Sequence, residues 1–331
     1  MSHPKHVSRL IDAARLLRAD LAVATVSGVA MMVWLNGAGP AADTWSITAL
    51  LAAVIAGLGL HGFGMVFNDL IDLRRDRQLR PDRPVAAGRV RASTAAMAGT
   101  ASLVIGLLAA AWLGLGAMVA AVLIAGGLLF YNAAGKFLPA TAAMTLGLAR
   151  VGVMLLPDPT TEHLYPLWLA MSHTVAAAAI TARLTPGQRA LGNQHAWILC
   201  GMWVFFSMAL LLVDSLRDNS GSIAGAQAWP LLALLAAGFA ALATWHVRRR
   251  LGGRAGAGET ARFFRIAVLW LILYDVAWMI GVGQWLAAGL LAGLFFVATG
   301  LTLRLTRPVD DDPRYRVDDR SSGLSSTGPV K

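Results

Sequence analysis

An uncharged apolar run, SITALLAAVIAGLGLHGFGMVFN (46–68), leads directly into the acidic segment DLIDLRRD (69–76). A helix needs roughly 20 apolar residues to cross a bilayer, so the run predicts a membrane-spanning helix. The acids at positions 69, 72 and 76 are spaced i, i+3 and i+7, and they project from one face if the helix continues through them. This stretch therefore predicts a helix that leaves the membrane at a cluster of carboxylates.

Apolar runs of similar length recur along the whole chain. They lie near 20–38, 46–68, 93–113, 115–131, 140–156, 165–183, 196–214, 229–247, 263–281 and 285–304. We expect an all-α integral membrane protein with nine to ten transmembrane helices, nine if one short run is re-entrant.

The composition of the 331 residues agrees with an integral membrane protein. Of these residues, 57% are hydrophobic and 14% are charged, and the mean hydropathy is +0.61. A soluble domain carries about 25% charged residues, so a water-soluble enzyme and a disordered chain are excluded. The single cysteine, Cys200, excludes an internal disulfide and a cysteine-based zinc site.

The net charge of +10 and the pI near 10.9 are explained by membrane orientation. With the N-terminus in the cytoplasm, 26 of the 28 lysines and arginines fall on the cytoplasmic side; Arg217 lies outside and Arg150 lies within a span. Lysine and arginine collect in cytoplasmic loops of membrane proteins. We therefore expect a multi-pass protein of the cell inner membrane with cytoplasmic active-site loops, contact with membrane lipids, and no nucleic-acid partner.

The acidic segment has the chemistry of a metal and phosphate site. Asn68 lies on the same side of the predicted helix as Asp72, and hard oxygen ligands of this kind suit Mg²⁺, which completes its shell with water and phosphate. Nearby arginines would add charge-assisted hydrogen bonds to a diphosphate. The alternative is an Arg/Asp-rich loop that only solvates and orients the chain, and the spacing alone leaves the two interpretations at about even weight.

Two patches carry a resemblance to a known family. The segment NDLIDLRRD (68–76), followed by RPDRPVAAGRV (80–90), resembles the first aspartate-rich motif of the UbiA superfamily of intramembrane prenyltransferases. The segment YNAAGK (131–136) is similar to the family's Tyr…Lys motif, with the lysine five residues after the tyrosine. The stretch 144–156, which includes Arg150, resembles a bacterial subgroup that contains EboC-like proteins.

The resemblance implies a UbiA-like transmembrane domain over residues 1–304, with helices around a central cavity. It further implies transfer of a prenyl group from a (poly)prenyl diphosphate to an aromatic or other lipophilic acceptor, with Mg²⁺ as cofactor. The implied metal-binding residues are Asn68, Asp69, Asp72 and Asp76, of which the three aspartates are catalytic, and the implied substrate-binding residues are Asn68, Tyr131, Lys136 and Arg83. Arg18 either lines the same mouth or anchors the first span at the interface. Residues 305–331 are expected to form a disordered cytoplasmic tail.

One part of the family pattern is absent. The family carries a second acidic motif after its sixth helix, and the corresponding stretch here, residues 180–195, contains no aspartate or glutamate. Arg183 and Arg189 stand where acids are expected. We expect these arginines, Arg183 in particular, to contact the diphosphate directly as bidentate donors.

The missing motif keeps other functions open. The chain is either a prenyltransferase or a non-catalytic, repurposed UbiA-like protein that binds or moves an isoprenoid or lipid-like precursor. An unrelated transporter fits the hydropathy but not the two patches. Asp275 and Arg150 lie inside spans, where a charge is expensive, so each is either a functional residue or part of a structural pair.

Overall fold

The chain folds as a bundle of long helices, seen in a computed structural model that describes residues 5–37, 47–184, 191–216, 228–253 and 257–305. Within these ranges the helices are α1 (Lys5–Leu16), α2 (Ala19–Gly37), α3 (Ile47–Ile71), α4 (Leu73–Leu79), α5 (Ala92–Leu113), α6 (Leu115–Ala133), α7 (Pro139–Leu155), α8 (Leu164–Leu184), α9 (Asn193–Leu216), α10 (Trp229–Leu251), α11 (Ala257–Gly281) and α12 (Trp285–Leu305). A short 3₁₀ turn, Gly135–Phe137, joins α6 to α7.

The membrane spans follow the apolar runs of the sequence. In the described ranges, nine helices are long and apolar enough to cross a membrane, namely α2, α3, α5, α6 and α8 to α12. Helix α7 is apolar but has only 17 residues. The expectation of an all-α membrane protein with nine to ten spans is therefore confirmed.

The outer faces of several helices are apolar. Large hydrophobic side chains stand exposed on α5, α6 and α9, among them Leu108, Leu123, Phe205 and Leu212. In water such a surface would be strongly unfavourable, whereas lipid tails are as apolar as leucine. Such apolar outer faces are typical of helices that span a membrane.

The interior of the bundle is packed by methionines and small residues from four helices. Met31 on α2, Met144 on α7, Met171 on α8 and Met279 on α11 are almost completely buried in one apolar cluster. A second cluster lies between α3, α5 and α6 around Leu60. The two clusters together hold the spans in one bundle.

Helices α3 and α5 approach so closely that their backbones touch. A Cβ atom placed on Gly59 would lie 2.6 Å from the Cα of Gly106. Small residues at a crossing point let two membrane helices pack backbone to backbone. Helix α3, which carries the acidic segment at its end, is thereby fixed against its neighbour.

The charged side chains of six elements meet at one end of the bundle, which we call the polar end. It is defined by Arg18, Asp20, Asp69, Asp72, Asp76, Arg83, Lys136 and Arg265, which are connected through ion pairs between elements. Helix α1 and the loop 80–91 cover this end: Arg89 Nε donates to Asp12 Oδ1 at 2.9 Å. Val85 in that loop is buried beside Leu16 and Val66.

At the opposite end, a cavity of about 360 Å³ lies between α8, α9 and α10. Its lining combines four aromatic rings with three leucines, Ser207 and Asp214; the rings are those of Tyr165, Trp168, Trp203 and Trp229. The indole N–H of Trp168 donates to Ser207 Oγ at 3.0 Å, so the polar atom of this ring is satisfied. The cavity is apolar and lies away from the charged groups of the polar end.

The predicted boundary between the transmembrane domain, residues 1–304, and the tail, residues 305–331, stays a prediction. Leu305 is the last residue of α12, and residues 306–331, the expected tail, lie outside the described part of the chain.

Candidate active site

The acidic segment continues from α3 into α4 with one interruption. Helix α3 ends at Ile71 and α4 begins at Leu73, so Asp72 lies between them. The backbone N–H of Asp72 donates to Asn68 O at 3.0 Å, and the N–H of Asp76 donates to Asp72 O at 2.8 Å. The helical hydrogen-bond spacing is therefore kept across the break.

Arg83 joins the first and third acids of the segment. Its Nη1 atom donates to Asp69 Oδ1 at 3.0 Å and also to Asp76 Oδ2. Both aspartates are buried. The loop that follows α4 turns back through a hydrogen bond from Arg83 N–H to Arg80 O at 3.1 Å. Its Arg-Pro-Asp-Arg-Pro sequence thus places a cation against two acids.

Arg18 reaches the same carboxylate from the first span. Its Nη2 atom lies 3.3 Å from Asp69 Oδ1. Arg18 has a positive φ of 46°, which is uncommon for a residue other than glycine and is found often at functional sites. This conformation occurs where α1 turns into α2. Arg18 therefore contacts the acidic segment, and its role at the mouth of the site stays a prediction.

Lys136 pairs with the second acid. Its Nζ atom donates to Asp72 Oδ1 at 2.7 Å from the 3₁₀ turn after α6. The neighbouring Asn132 is buried and donates to Gly64 O at 3.0 Å, which ties the end of α6 to α3. Tyr131, on the last turn of α6, is half-buried beside this group. The two sequence patches, 68–90 and 131–136, therefore lie together in space.

Burial is the largest influence on the pKa of two groups at the polar end, Asp76 and Arg18. It raises the pKa of Asp76, while the positive charge of Arg83 acts against the rise. It lowers the pKa of Arg18; Arg83 lowers it further, and Asp69 and Tyr131 oppose this. The carboxylate of Asp76 is thus costly to keep charged unless a cation lies beside it.

The donor set of the acidic segment suits a hard divalent cation. Asp69, Asp72 and Asp76 present carboxylate oxygens and Asn68 an amide oxygen within three helical turns. In the described ranges, no three His, Cys, Asp or Glu side chains are placed to share one ion. Mg²⁺ needs only one or two carboxylates, because water and phosphate complete its octahedral shell. The residues therefore fit Mg²⁺ held jointly with a diphosphate.

The stretch that lacks the second acidic motif is only partly described. Arg183 is exposed at the end of α8, and its Nη1 atom lies 3.5 Å from Leu191 O. Arg189 lies outside the described residues. Arg250 Nε donates to Leu184 O at 3.2 Å, so the end of α8 is also tied to α10. The role expected for Arg183 at the diphosphate stays a prediction.

The two charged residues inside spans meet each other. Arg150 Nη2 on α7 lies 3.6 Å from Asp275 Oδ2 on α11, and Arg150 Nη1 donates to Ala24 O on α2 at 2.8 Å. Ser27 Oγ donates to Asp275 Oδ2 at 2.7 Å. A Cβ atom on Gly28 would lie 2.4 Å from Arg150 Nη2, so the glycine makes room for the guanidinium. This network links three helices within the membrane.

Sequence reasoning missed one charged pair at the polar end. Asp20 on α2 is fully buried and accepts a hydrogen bond from Arg265 on α11. From the sequence, Arg265 is one of the 26 cytoplasmic cations, and Asp20 has no assigned role. The available signal was an acid in the first turn of a transmembrane helix, which is a costly position for a charge unless it has a partner.

Comparison with known proteins gives a match in structure alone. No protein-family model and no curated protein sequence matches the chain. Among solved structures, a digeranylgeranylglyceryl phosphate synthase studied in membranes superposes with a TM-score of 0.58 over 84% of this chain and 99% of that one, at 16% identity. The fold is UbiA-like.

A second solved structure agrees with this likeness. A UbiA homologue from Archaeoglobus fulgidus, bound to DMAPP and Mg²⁺, matches with a TM-score of 0.50 over 87% of this chain and 99% of that one, at 14% identity. At such identities the likeness concerns the fold. The resemblance read from the two sequence patches is confirmed at that level, and the narrower likeness to EboC-like proteins stays a prediction.

Proposed function

We propose that the chain transfers a prenyl group from a (poly)prenyl diphosphate to an aromatic or other lipophilic acceptor, with Mg²⁺ as cofactor. The observation that carries the proposal is the grouping of three aspartates with Arg18, Arg83 and Lys136 at one end of a UbiA-like bundle. Carboxylates for a metal and permanent cations for a phosphate are the two halves of a diphosphate site.

The residues of the site divide between the metal and the diphosphate. Asn68, Asp69, Asp72 and Asp76 would hold Mg²⁺, which when bound neutralises diphosphate charge and stabilises it as a leaving group. Arg18 and Lys136 each pair with one of these acids and Arg83 pairs with two, and the three cations would instead donate to phosphate oxygens when substrate is present. Tyr131 lies beside this group, and Arg183 is a further candidate contact from α8.

This exchange of partners makes the two ligands depend on each other. A diphosphate that arrives alone takes cations away from buried or partly buried acids, and a metal that arrives alone takes acids away from partly buried cations. Either event leaves a charge without its partner, which costs free energy. Metal and diphosphate should therefore bind with positive coupling, each raising the affinity for the other.

The reaction needs little more from the protein than charge and exclusion of water. The C–O bond to the diphosphate breaks, an allylic cation forms, the acceptor attacks the cation, and the acceptor then loses a proton. The cations of the polar end stabilise the departing diphosphate. The apolar interior below it protects the allylic cation from water. We place the polar end on the cytoplasmic side of the inner membrane, in agreement with the charge distribution.

The experiment is a release assay on the purified full-length protein in detergent. It uses Mg²⁺, labelled prenyl diphosphates of several chain lengths, and candidate acceptors, and it measures diphosphate release and prenylated product. Asp72→Asn should lower release by about 100-fold or more. Asp82→Asn, a matched change in the exposed loop beside the site, should leave it unchanged.

The second candidate is a UbiA-like protein that binds or moves an isoprenoid precursor without catalysis. The absence of acids from residues 180–195 favours it, because fewer carboxylates are then available for a second metal. Tight binding of a prenyl diphosphate with no release of diphosphate for any acceptor would identify this function. An absence of binding would contradict both candidates.

A further inference from the structure

Asp20 is a buried carboxylate that holds an arginine at the polar end. It lies in the first turn of α2 and is 0% exposed. Its Oδ2 atom accepts hydrogen bonds from Arg265 Nη1 on α11 and from Thr302 Oγ1 on α12, the latter at 3.4 Å. The side chain of Arg265, in contrast, is 29% exposed. The carboxylate thus fixes one part of the guanidinium while the side chain still reaches the surface of the bundle.

The position of this pair relates it directly to the acidic segment. Arg18 is two residues before Asp20 and lies 3.3 Å from Asp69. Because Asp20 accepts a hydrogen bond from Arg265, the Asp20–Arg265 pair lies beside the Arg18–Asp69 pair at the polar end.

A buried ion pair of this kind needs an explanation beyond stability. Taking a carboxylate out of water is expensive, and a well-packed apolar pair in its place is often as stable or more so. What the carboxylate does supply is orientation. A free surface arginine loses conformational freedom when it binds a ligand, whereas an arginine already held in place loses less.

The remaining charges at the polar end indicate what Arg265 would bind. The stretch 180–195 offers no carboxylate for a second metal, and Arg183 lies 3.5 Å from a carbonyl of its own segment. Arg265 is bonded to Asp20, which is two residues from the Arg18 that contacts Asp69, so a diphosphate bound at Asp69 would lie at the same end of the bundle as Arg265. A guanidinium suits phosphate because it is always charged and donates through two parallel N–H groups.

We propose that Arg265, positioned by Asp20, contacts the substrate diphosphate and supplies the positive charge that a second metal, held by a second acidic motif, would otherwise supply. Arg265 is then a substrate-binding residue, and Asp20 is a positioning residue that acts through it. This inference rests on the proposed function, since it concerns the same diphosphate. Its consequence is that diphosphate binding requires less Mg²⁺ than it would without Arg265.

The decisive variant is the double change Asp20→Asn with Arg265→Gln. It removes one negative and one positive charge, so the net charge of the polar end is unchanged and no buried charge loses its partner. The matched control is Arg262→Ala, which removes an exposed arginine one turn earlier on the same helix.

The measurement is the affinity of the purified full-length protein in detergent for the S-thiolo analogue of geranyl diphosphate, which resists ionisation. Affinity is measured across a Mg²⁺ titration, and the analogous geranyl thiomonophosphate and the melting temperature are measured in parallel. The double variant should bind the diphosphate analogue roughly tenfold or more weakly and need more Mg²⁺ for half-maximal binding. The affinity of the double variant for the monophosphate analogue should fall by a smaller factor. The Arg262→Ala variant should bind both analogues as the wild type does.

The possible results of this experiment lead to three different conclusions. Wild-type protein that does not bind the diphosphate analogue at any Mg²⁺ concentration contradicts the proposed function itself. Wild-type binding with equal affinity and Mg²⁺ dependence in the double variant overturns only the role of Arg265. A lowered melting temperature with unchanged affinity would show that the pair merely ties α2 to α11 and α12.

Discussion

At the scale of single residues, the charged pair inside the membrane should behave as one unit. Asp275→Asn leaves Arg150 buried beside a neutral side chain, and removing one partner of a buried pair costs about 3–5 kcal/mol. We expect a clear fall in the melting temperature of the detergent-purified protein. The double variant Arg150→Met with Asp275→Leu removes both charges and should recover most of the loss. Equal stability of Asp275→Asn and wild type would mean that the pair does not stabilise the bundle.

A single histidine should make stability depend on pH. His163, in the connection between α7 and α8, has its Nε2 atom 3.2 Å from Leu35 O, and burial lowers its pKa below the ordinary value of 6.5. Asp158 and Glu162 oppose the shift. The folded state disfavours the charged form, so the stabilising contribution is complete above pH 6.5 and is lost as the pH falls below it. His163→Gln should reduce the fall in melting temperature between pH 7.5 and pH 5; an identical fall would assign the pH dependence to other groups.

At the scale of helices, the contact between α3 and α5 depends on two glycines. Alanine at Gly59 would place its Cβ 2.6 Å from the backbone of Gly106, and because that neighbour is backbone, the helices must separate. We expect Gly59→Ala to lower the melting temperature and to weaken diphosphate binding, because α3 carries Asp69 at its end. Gly126→Ala on α6 has no atom within 4 Å of its new Cβ and should be neutral or slightly stabilising. A similar effect of the two changes would contradict the close contact.

The positions of the helices could be predicted from the sequence, but their neighbours could not. The predicted span 46–68 corresponds to the helix Ile47–Ile71, and the predicted span 140–156 corresponds to Pro139–Leu155. The agreement arises because membrane thickness sets the length of a span. Which helices lie side by side could not be predicted, because no sequence periodicity indicates it. Asp20 and Arg265, for example, are 245 positions apart in the sequence. The acidic segment could be predicted from the sequence because its residues are close together in the chain. The Asp20–Arg265 and Arg150–Asp275 pairs arise only from the packing of distant helices.

At the scale of the whole molecule, the charges divide the bundle into two unlike ends. The polar end gathers Arg18, Arg83, Lys136 and Arg265, whereas the opposite end holds an apolar, aromatic cavity. A bilayer keeps these ends apart, so only one of them can meet a soluble diphosphate from the cytoplasm. The proposed reaction therefore requires that the polar end face the cytoplasm.

That orientation can be measured on the full chain by cysteine labelling. In a Cys200→Ser background, Arg77→Cys on α4 and Glu162→Cys before α8 place single exposed thiols near the two ends. Positive residues accumulate on the cytoplasmic side, and the loop 69–92 carries seven of them. In spheroplasts, a membrane-impermeant maleimide should label Glu162→Cys at once and Arg77→Cys only after the membrane is permeabilised. The reverse pattern would place the acidic segment outside the cell, away from any cytoplasmic diphosphate, and would contradict both the orientation and the reaction assigned to this end.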